Sequence, residues 1–398
     1  MEKFPSNFCI IPWIGADVRP QGGVSLCCVA QEHLLDDNRD PSELETIRQN
    51  KNFTRIRQQF LKGEWPKECN YCQSYDKDEH SGYSLRKMYN QRFGLEQMAP
   101  HEFTDEAKDL MQLELNFGNI CNYKCRMCSS QYSSKWMSDE AALHGYSFTK
   151  KVNAGNYDID NLVQQMTHLK ELVVKGGEPF INPNFEKFIN LMVEKNIAQN
   201  CHIYIVTNGS VYNQNLLSQI EKFKHAHIAV SIDGVDPVYS YIRDGSHDFK
   251  GVLSNLKEMF NHKKIFLSIN YTLQIYNMLC LRETYDQISP YAPQLDVIPV
   301  HQSFLQVIHA PEPLKDILRQ DLNYIISKFR GGSISIDRIK GARIDIDKPG
   351  IASEWQQFHT FTSNLDRVRK QNLLEIEPRF AAFYGQPLCY DQATLSPF

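Results

Sequence analysis

From Leu113 onward the sequence alternates six times between a short apolar run and an amphipathic segment. That alternation restricts the chain to the α/β class, a parallel sheet joined by crossover helices. The expected strands are 113–117, 171–176, 202–209, 227–234, 265–273 and 294–301, the last weakened by Pro299. Helical patterns fill the gaps at 130–144, 159–169, 183–195, 214–224, 251–262 and 281–291. Six such units build an open, partial (βα)6 barrel. In parallel α/β architectures the chemistry sits at the C-terminal ends of the strands. The turns KGGEP, TNG and SIDG fall at such ends.

The flanks have a different texture. Residues 1–100 are cysteine-rich and turn-rich, with helical patterns at 42–62 and 84–93 and a linker at 94–105. The tail reads as helices at 313–330 and 355–374, separated by a glycine-containing break at 331–350. Three parts are therefore expected: a Cys-rich module at 1–105, the barrel at 106–310 and a helical extension at 311–398. A net charge of −4 writes no strong pull toward nucleic acid or anionic membrane into the chain. No apolar run reaches the length of a membrane span. The N-terminus MEKFPSNFCIIPW has no long apolar core of a signal peptide, so the expected location is cytoplasmic.

Eight of the eleven cysteines lie in the first third of the chain, and in a cytosolic protein such spacing points to metal rather than disulfides. GNICNYKCRMCS places Cys121, Cys125 and Cys128 directly after the first barrel strand. Three thiolates ligate three irons of a four-iron cluster and leave the fourth iron open to an exogenous ligand. A zinc knot is the alternative. In KGGEP, Gly176 and Gly177 allow close backbone approach to a ligand, and Glu178 can accept from an ammonium group. Ser231 and Asp233 are two apart, so they share one face of a strand. Arg243 suits a carboxylate. Upstream, a second four-ligand site can be drawn from Cys9, one of the pair Cys27 and Cys28, Cys69 and Cys72. Four thiolates fit either zinc or a further four-iron cluster. Cys201, Cys280 and Cys389 read as core thiols, and no general acid, base or hydrogen donor is singled out.

CNYKCRMC resembles the CxxxCxxC signature of the radical S-adenosylmethionine (SAM) superfamily, and residues 112–305 resemble its partial, TIM-like barrel. The resemblance implies an enzyme with a [4Fe–4S] cluster on Cys121, Cys125 and Cys128, whose open iron chelates SAM. Reductive cleavage would give a 5′-deoxyadenosyl radical that abstracts hydrogen from an unactivated carbon. Oxidation, cross-linking and epimerisation of a small molecule or peptide are all compatible outcomes. It also implies a reductase such as flavodoxin or ferredoxin. Met127 takes the place of the usual aromatic near the adenine. Gly176, Gly177 and Glu178 match the family's GGE motif on the SAM amino group, Ser231 and Asp233 its ribose or methionyl contacts, and Arg243 is a candidate for the SAM carboxylate. The pattern C…PW…GxxxxC…CxxC resembles the auxiliary-cluster modules called twitch and SPASM, here placed before the barrel. That implies a second [4Fe–4S] cluster on Cys9, Cys27, Cys69 and Cys72. The spacing from Gly22 favours Cys27, with Cys28 able to substitute. The alternative is a zinc- or iron–sulfur-binding scaffold without SAM chemistry.

Overall fold

A computed structural model describes residues 3–30, 34–36, 41–77, 84–145, 157–292, 294–328 and 334–386. Cys389 lies outside the described residues. The chain divides into two compact units. The first comprises residues 1–120, 152–205 and 213–227, and the second comprises 121–151, 206–212 and 228–398.

All six expected barrel strands form, each within three residues of its expected limits. They are β4 (Gln112–Asn116), β5 (Glu171–Lys175), β6 (His202–Thr207), β7 (His225–Ser231), β8 (Ile265–Leu273) and β9 (Gln294–Pro299). In the first unit β4, β5 and β6 pair in parallel, with Leu115 opposite Val174 and Leu172 opposite Ile203. The helix Pro183–Glu194 covers one face through Phe185, Phe188, Ile189 and Met192, an i, i+3, i+4, i+7 spacing that puts all four on one side. Asn182 starts this helix by accepting from Asn184 N at 2.9 Å, and Pro183 fills its first position, where no donor is needed. In the second unit β8 and β9 pair in parallel from Ser268/Gln294 to Leu273/Pro299. The expected α/β class with a parallel sheet is what the chain adopts.

The N-terminal segment supplies a strand that pairs with the first barrel strand. A strand not foreseen, β1 (Gly15–Val18), runs parallel to β4, with Asp17 opposite Glu114. It pairs antiparallel with β2 (Val24–Ser25), which pairs with β3 (Leu34–Asp36). The GGVSLCC hairpin is thus the far arm of β1. Trp13, fully buried, stacks on Phe8 at 4.8 Å and donates Nε1 to Thr104 O at 2.6 Å. The PW pair is therefore the core anchor of this region.

Two helical expectations change. The pattern at 42–62 is two helices, Leu44–Arg48 and Lys51–Leu61. Asn50 breaks it by capping the second, its side chain accepting from Asn52 N and Phe53 N. The break at 331–350 contains a helix, Ile334–Asp345, which buries Ile336 and Ile339 and pairs Arg338 with Asp296 of β9 at 3.1 Å. Glycine content misled there, because Gly341 sits where a side chain would meet nothing. The tail otherwise forms the helices Glu312–Lys328 and Ala352–Arg369. No helix among the described residues is long and apolar enough to cross a membrane.

Candidate functional site

In the second unit the cysteine loop is a compact turn rather than an open strand-to-helix link. Cys128 N donates to Cys125 O at 2.9 Å, and Tyr123 N points at the Cys121 sulfur at 3.4 Å. Tyr123 is fully buried, its carbonyl accepting from Ser133 Oγ at 2.5 Å and its hydroxyl donating to His247 O at 3.3 Å. Trp136 Nε1 donates to Cys125 O at 2.5 Å. The TNG turn fixes the loop from another side. Asn208 donates to the Asn122 side chain at 2.9 Å, and Asn122 donates to Ser210 at 2.8 Å and Ser246 at 2.9 Å. Thr207 and Asn208 also close their own turn on Gly209 N and Ser210 N.

Sequence reasoning assigned the tail no role, yet the tail grips this loop. Arg126, between Cys125 and Met127, is 1% exposed. Its guanidinium lies 3.5 Å from the centre of the Tyr241 ring and pairs with Asp366 on the helix Ala352–Arg369. It also donates to Tyr241 O at 3.0 Å and to Gln371 Oε1 at 2.7 Å. Arg369 on the same helix donates to Lys124 O at 2.6 Å and pairs with Asp139 at 2.7 Å. Met127 O accepts from Gln302 Nε2 at 2.6 Å. The backbone from Tyr123 to Cys128 is thus held by side chains and main chain around it.

The thiols fit an iron site by the chemistry of the donor set. Burial pushes the Cys128 thiol up, and the neighbouring Cys125 and Cys121 push it further. Such donors stay protonated alone and ionise when a cation binds among them. Cys125 is also raised by burial, with Arg243 acting against it.

Asp233 and Arg243 lie side by side. They face each other, Arg243 Nη2 lying 2.5 Å from Asp233 Oδ2. Asp233 is fully buried, and Oδ1 accepts from Thr272 N at 2.7 Å. Arg243 Nη1 lies 3.6 Å from the Cys125 sulfur. Ser231, at the end of β7, is half-buried.

In the first unit the KGGEP turn follows β5 and packs on Ile120, the residue before the cysteine loop. Gly177 has φ +54°, and a Cβ there would lie 2.2 Å from Ile120 O. Only glycine fits. A Cβ on Gly176 would meet the Asn116 side chain at 2.7 Å. Glu178 N donates to Ile120 O at 2.8 Å, and the Glu178 carboxylate, 1% exposed, accepts from Phe180 N at 3.0 Å. The motif therefore has a structural duty of its own, whatever it binds.

The upstream cysteines gather around one pocket, which Cys9, Cys27, Cys69 and Cys72 all line together with Trp65 and Arg86. Burial pushes Cys9 up to about 12, with Cys72 adding to the rise. Cys27 and Cys69 are raised by burial and then by Cys9. Cys28 is absent from the pocket wall. It is raised by burial and by Glu114, to which its thiol donates. Glu114 belongs to a separate buried cluster on the strands. It pairs with Lys175 at 2.5 Å and accepts from Tyr89 at 3.4 Å. Asp17 beside it, paired with Arg19 at 3.1 Å, has its carboxyl pushed up to about 7 by burial. Sequence reasoning missed this polar cluster, because its members come from three strands, a helix and loops. Among the described residues no three His, Cys, Asp or Glu side chains are arranged to hold a single metal ion.

Comparison with solved structures finds chains of low identity. Native anSMEcpe with bound AdoMet and Cp18Cys peptide is 17% identical, with 59% of this chain and 62% of that chain covered and a TM-score of 0.39. Streptococcus suis SuiB bound to precursor peptide SuiA is 11% identical, with 83% and 64% covered and a TM-score of 0.38. TYW1 with a lysine-pyruvate adduct is 18% identical, with 57% and 77% covered and a TM-score of 0.34. The matched region thus spans less than two thirds of the first two of these chains. No curated protein matches the sequence. Residues 115–288, from within β4 through the cysteine loop to the helix Leu281–Ile288, match the model of the radical SAM superfamily, and the chain carries a domain of that superfamily.

Proposed function

We propose that the chain is a radical SAM enzyme in which Cys121, Cys125 and Cys128 hold a [4Fe–4S] cluster. When bound, that cluster supplies the electron that cleaves SAM reductively, and the resulting radical chemistry acts on an unactivated carbon of a small molecule or peptide. The observation that carries this reading is the cysteine loop. Its backbone and flanking side chains are tied down by Trp136, Asn208, Gln302 and the tail, while three thiols remain as mutually repelling donors. A rigid loop with three thiolates suits a cluster whose fourth iron takes an outside ligand.

In this reading Gly176, Gly177 and Glu178 receive the SAM amino group, Met127 packs near the adenine, and Ser231 serves the ribose or methionyl part. The tight fit of Gly177 on Ile120 supports a turn whose backbone is held for a ligand. Cys9, Cys27, Cys69 and Cys72 hold a second [4Fe–4S] cluster, supported by their shared pocket and by the diversion of Cys28 to Glu114. The reductant is a small electron carrier of the flavodoxin or ferredoxin kind.

The test is anaerobic purification followed by iron, sulfide and zinc analysis and electron paramagnetic resonance of the reduced protein. A four-iron signal that changes on adding SAM is expected. Zinc without iron, or an iron–sulfur signal indifferent to SAM, favours the scaffold alternative.

A further inference from the structure

We propose that Arg243 is a positioning residue for the SAM-binding cluster, setting the potential at which that cluster takes up an electron. The proposal rests on reading Cys121, Cys125 and Cys128 as the cluster's ligands. Arg243 is the last residue of the helix Val238–Arg243 and is 7% exposed. Its two terminal nitrogens are both directed. Nη2 meets Asp233 Oδ2 at 2.5 Å, and Nη1 meets the Cys125 sulfur at 3.6 Å.

A carboxylate takes an arginine best through two parallel N–H groups, either both terminal nitrogens or Nε with one of them. Here the end fork is divided between a carboxylate and a sulfur. Of the side fork, Nη2 already meets Asp233 Oδ2. Asp233 cannot readily turn away, because it is fully buried, its Oδ1 holds Thr272 N at 2.7 Å, and its carbonyl accepts from Asn277 Nδ2 at 3.1 Å. The carboxylate therefore holds the guanidinium against the thiol. That is the arrangement by which a second layer of residues tunes a metal ligand.

The chemical consequence follows from charge. Reduction adds an electron to a cluster whose sulfurs already carry negative charge. A buried N–H donor and a full positive charge beside one cysteine sulfur stabilise the reduced form and raise the potential. Removing them makes the cluster harder to reduce without removing any ligand.

The experiment compares wild type, Arg243→Met and Arg243→Lys as anaerobically reconstituted full-length proteins. An electron paramagnetic resonance redox titration follows only the signal that responds to SAM, which separates it from any second cluster. Iron content and SAM affinity are measured alongside. The expected result is wild-type iron, SAM affinity within about threefold of wild type, and a more negative potential for Arg243→Met. Arg243→Lys, which keeps the charge but not the planar fork, should fall between. An unchanged potential in both variants overturns the proposal. So does a tenfold loss of SAM affinity at constant potential, which would make Arg243 a SAM ligand. If wild type shows no SAM-responsive cluster at all, the functional reading itself fails, and this proposal with it. Should the methionine variant not fold, the lysine variant alone decides, since a wild-type potential there refutes the dependence on hydrogen-bond geometry.

Discussion

Replacing Asp366 by Asn should loosen the cysteine loop from 240 residues away in sequence. The substitution keeps the shape of the side chain and removes its charge. Asp366 is 9% exposed and serves three groups: the Arg126 guanidinium, the Tyr241 hydroxyl at 2.8 Å, and Leu373 N at 2.9 Å. With its oxygen in place of Oδ1 the amide still accepts from Arg126 and Tyr241, but it turns N–H groups on Leu373 N and no longer neutralises the buried Arg126 charge. Removing one partner of a buried pair costs about 3–5 kcal/mol. Gln371, Tyr241 O and the Tyr241 ring remain as partial compensation, which places Asp366→Asn at the lower end, about 3 kcal/mol. That corresponds to roughly a hundredfold shift in the folding equilibrium. Anaerobic urea unfolding gives the stability, and the rate of iron loss to a chelator reports on the loop. Faster iron loss should accompany the lower stability. A stability change under about 1 kcal/mol, with wild-type iron retention, would refute the claim that the tail holds the loop.

Other predictions follow from separate parts of the molecule. Gly245→Ala would place a Cβ 2.0 Å from the Tyr123 ring, which is buried between Cys121 and Cys125, so cluster loading should fall. A Tyr123→Ala background should partly restore it, and failure of any effect on iron content would count against the packing argument. His359 is 4% exposed, against Trp355 and Tyr384, and burial lowers its pKa from 6.5 to about 4. The unfolded chain therefore takes up the proton first, and stability present above pH 6.5 is lost as pH falls toward 4. The full loss is about 3 kcal/mol, and His359→Phe should flatten that part of the stability–pH curve. Cys69→Ala with Cys72→Ala should halve the iron from about eight to about four per chain while leaving SAM cleavage without substrate intact. About four irons with one zinc in the wild type would contradict a second cluster.

The strands were readable because burial on a parallel sheet demands short apolar runs, and each of β4 to β9 carries one. β1 was not, since GADV is too short and too mixed to signal a strand and owes its place to pairing with β4. The cysteine loop was readable from spacing. Its support was not, because Arg126 looks like an exposed charge until Asp366 is brought beside it. The same limit applied to Arg243 and Asp233. Each type suits a polar ligand, and only the folded chain shows that they meet one another. That Cys28 meets Glu114, nearly ninety residues away, was likewise hidden until the strands paired.

The most direct test of the account is formation of 5′-deoxyadenosine from SAM and a reductant under anaerobic conditions, measured by mass spectrometry. Wild type should form it, and the variant with Cys121, Cys125 and Cys128 all replaced by Ala should form none while retaining iron at the upstream site. SAM cleavage by that variant at the wild-type rate would contradict the assignment of these three thiols.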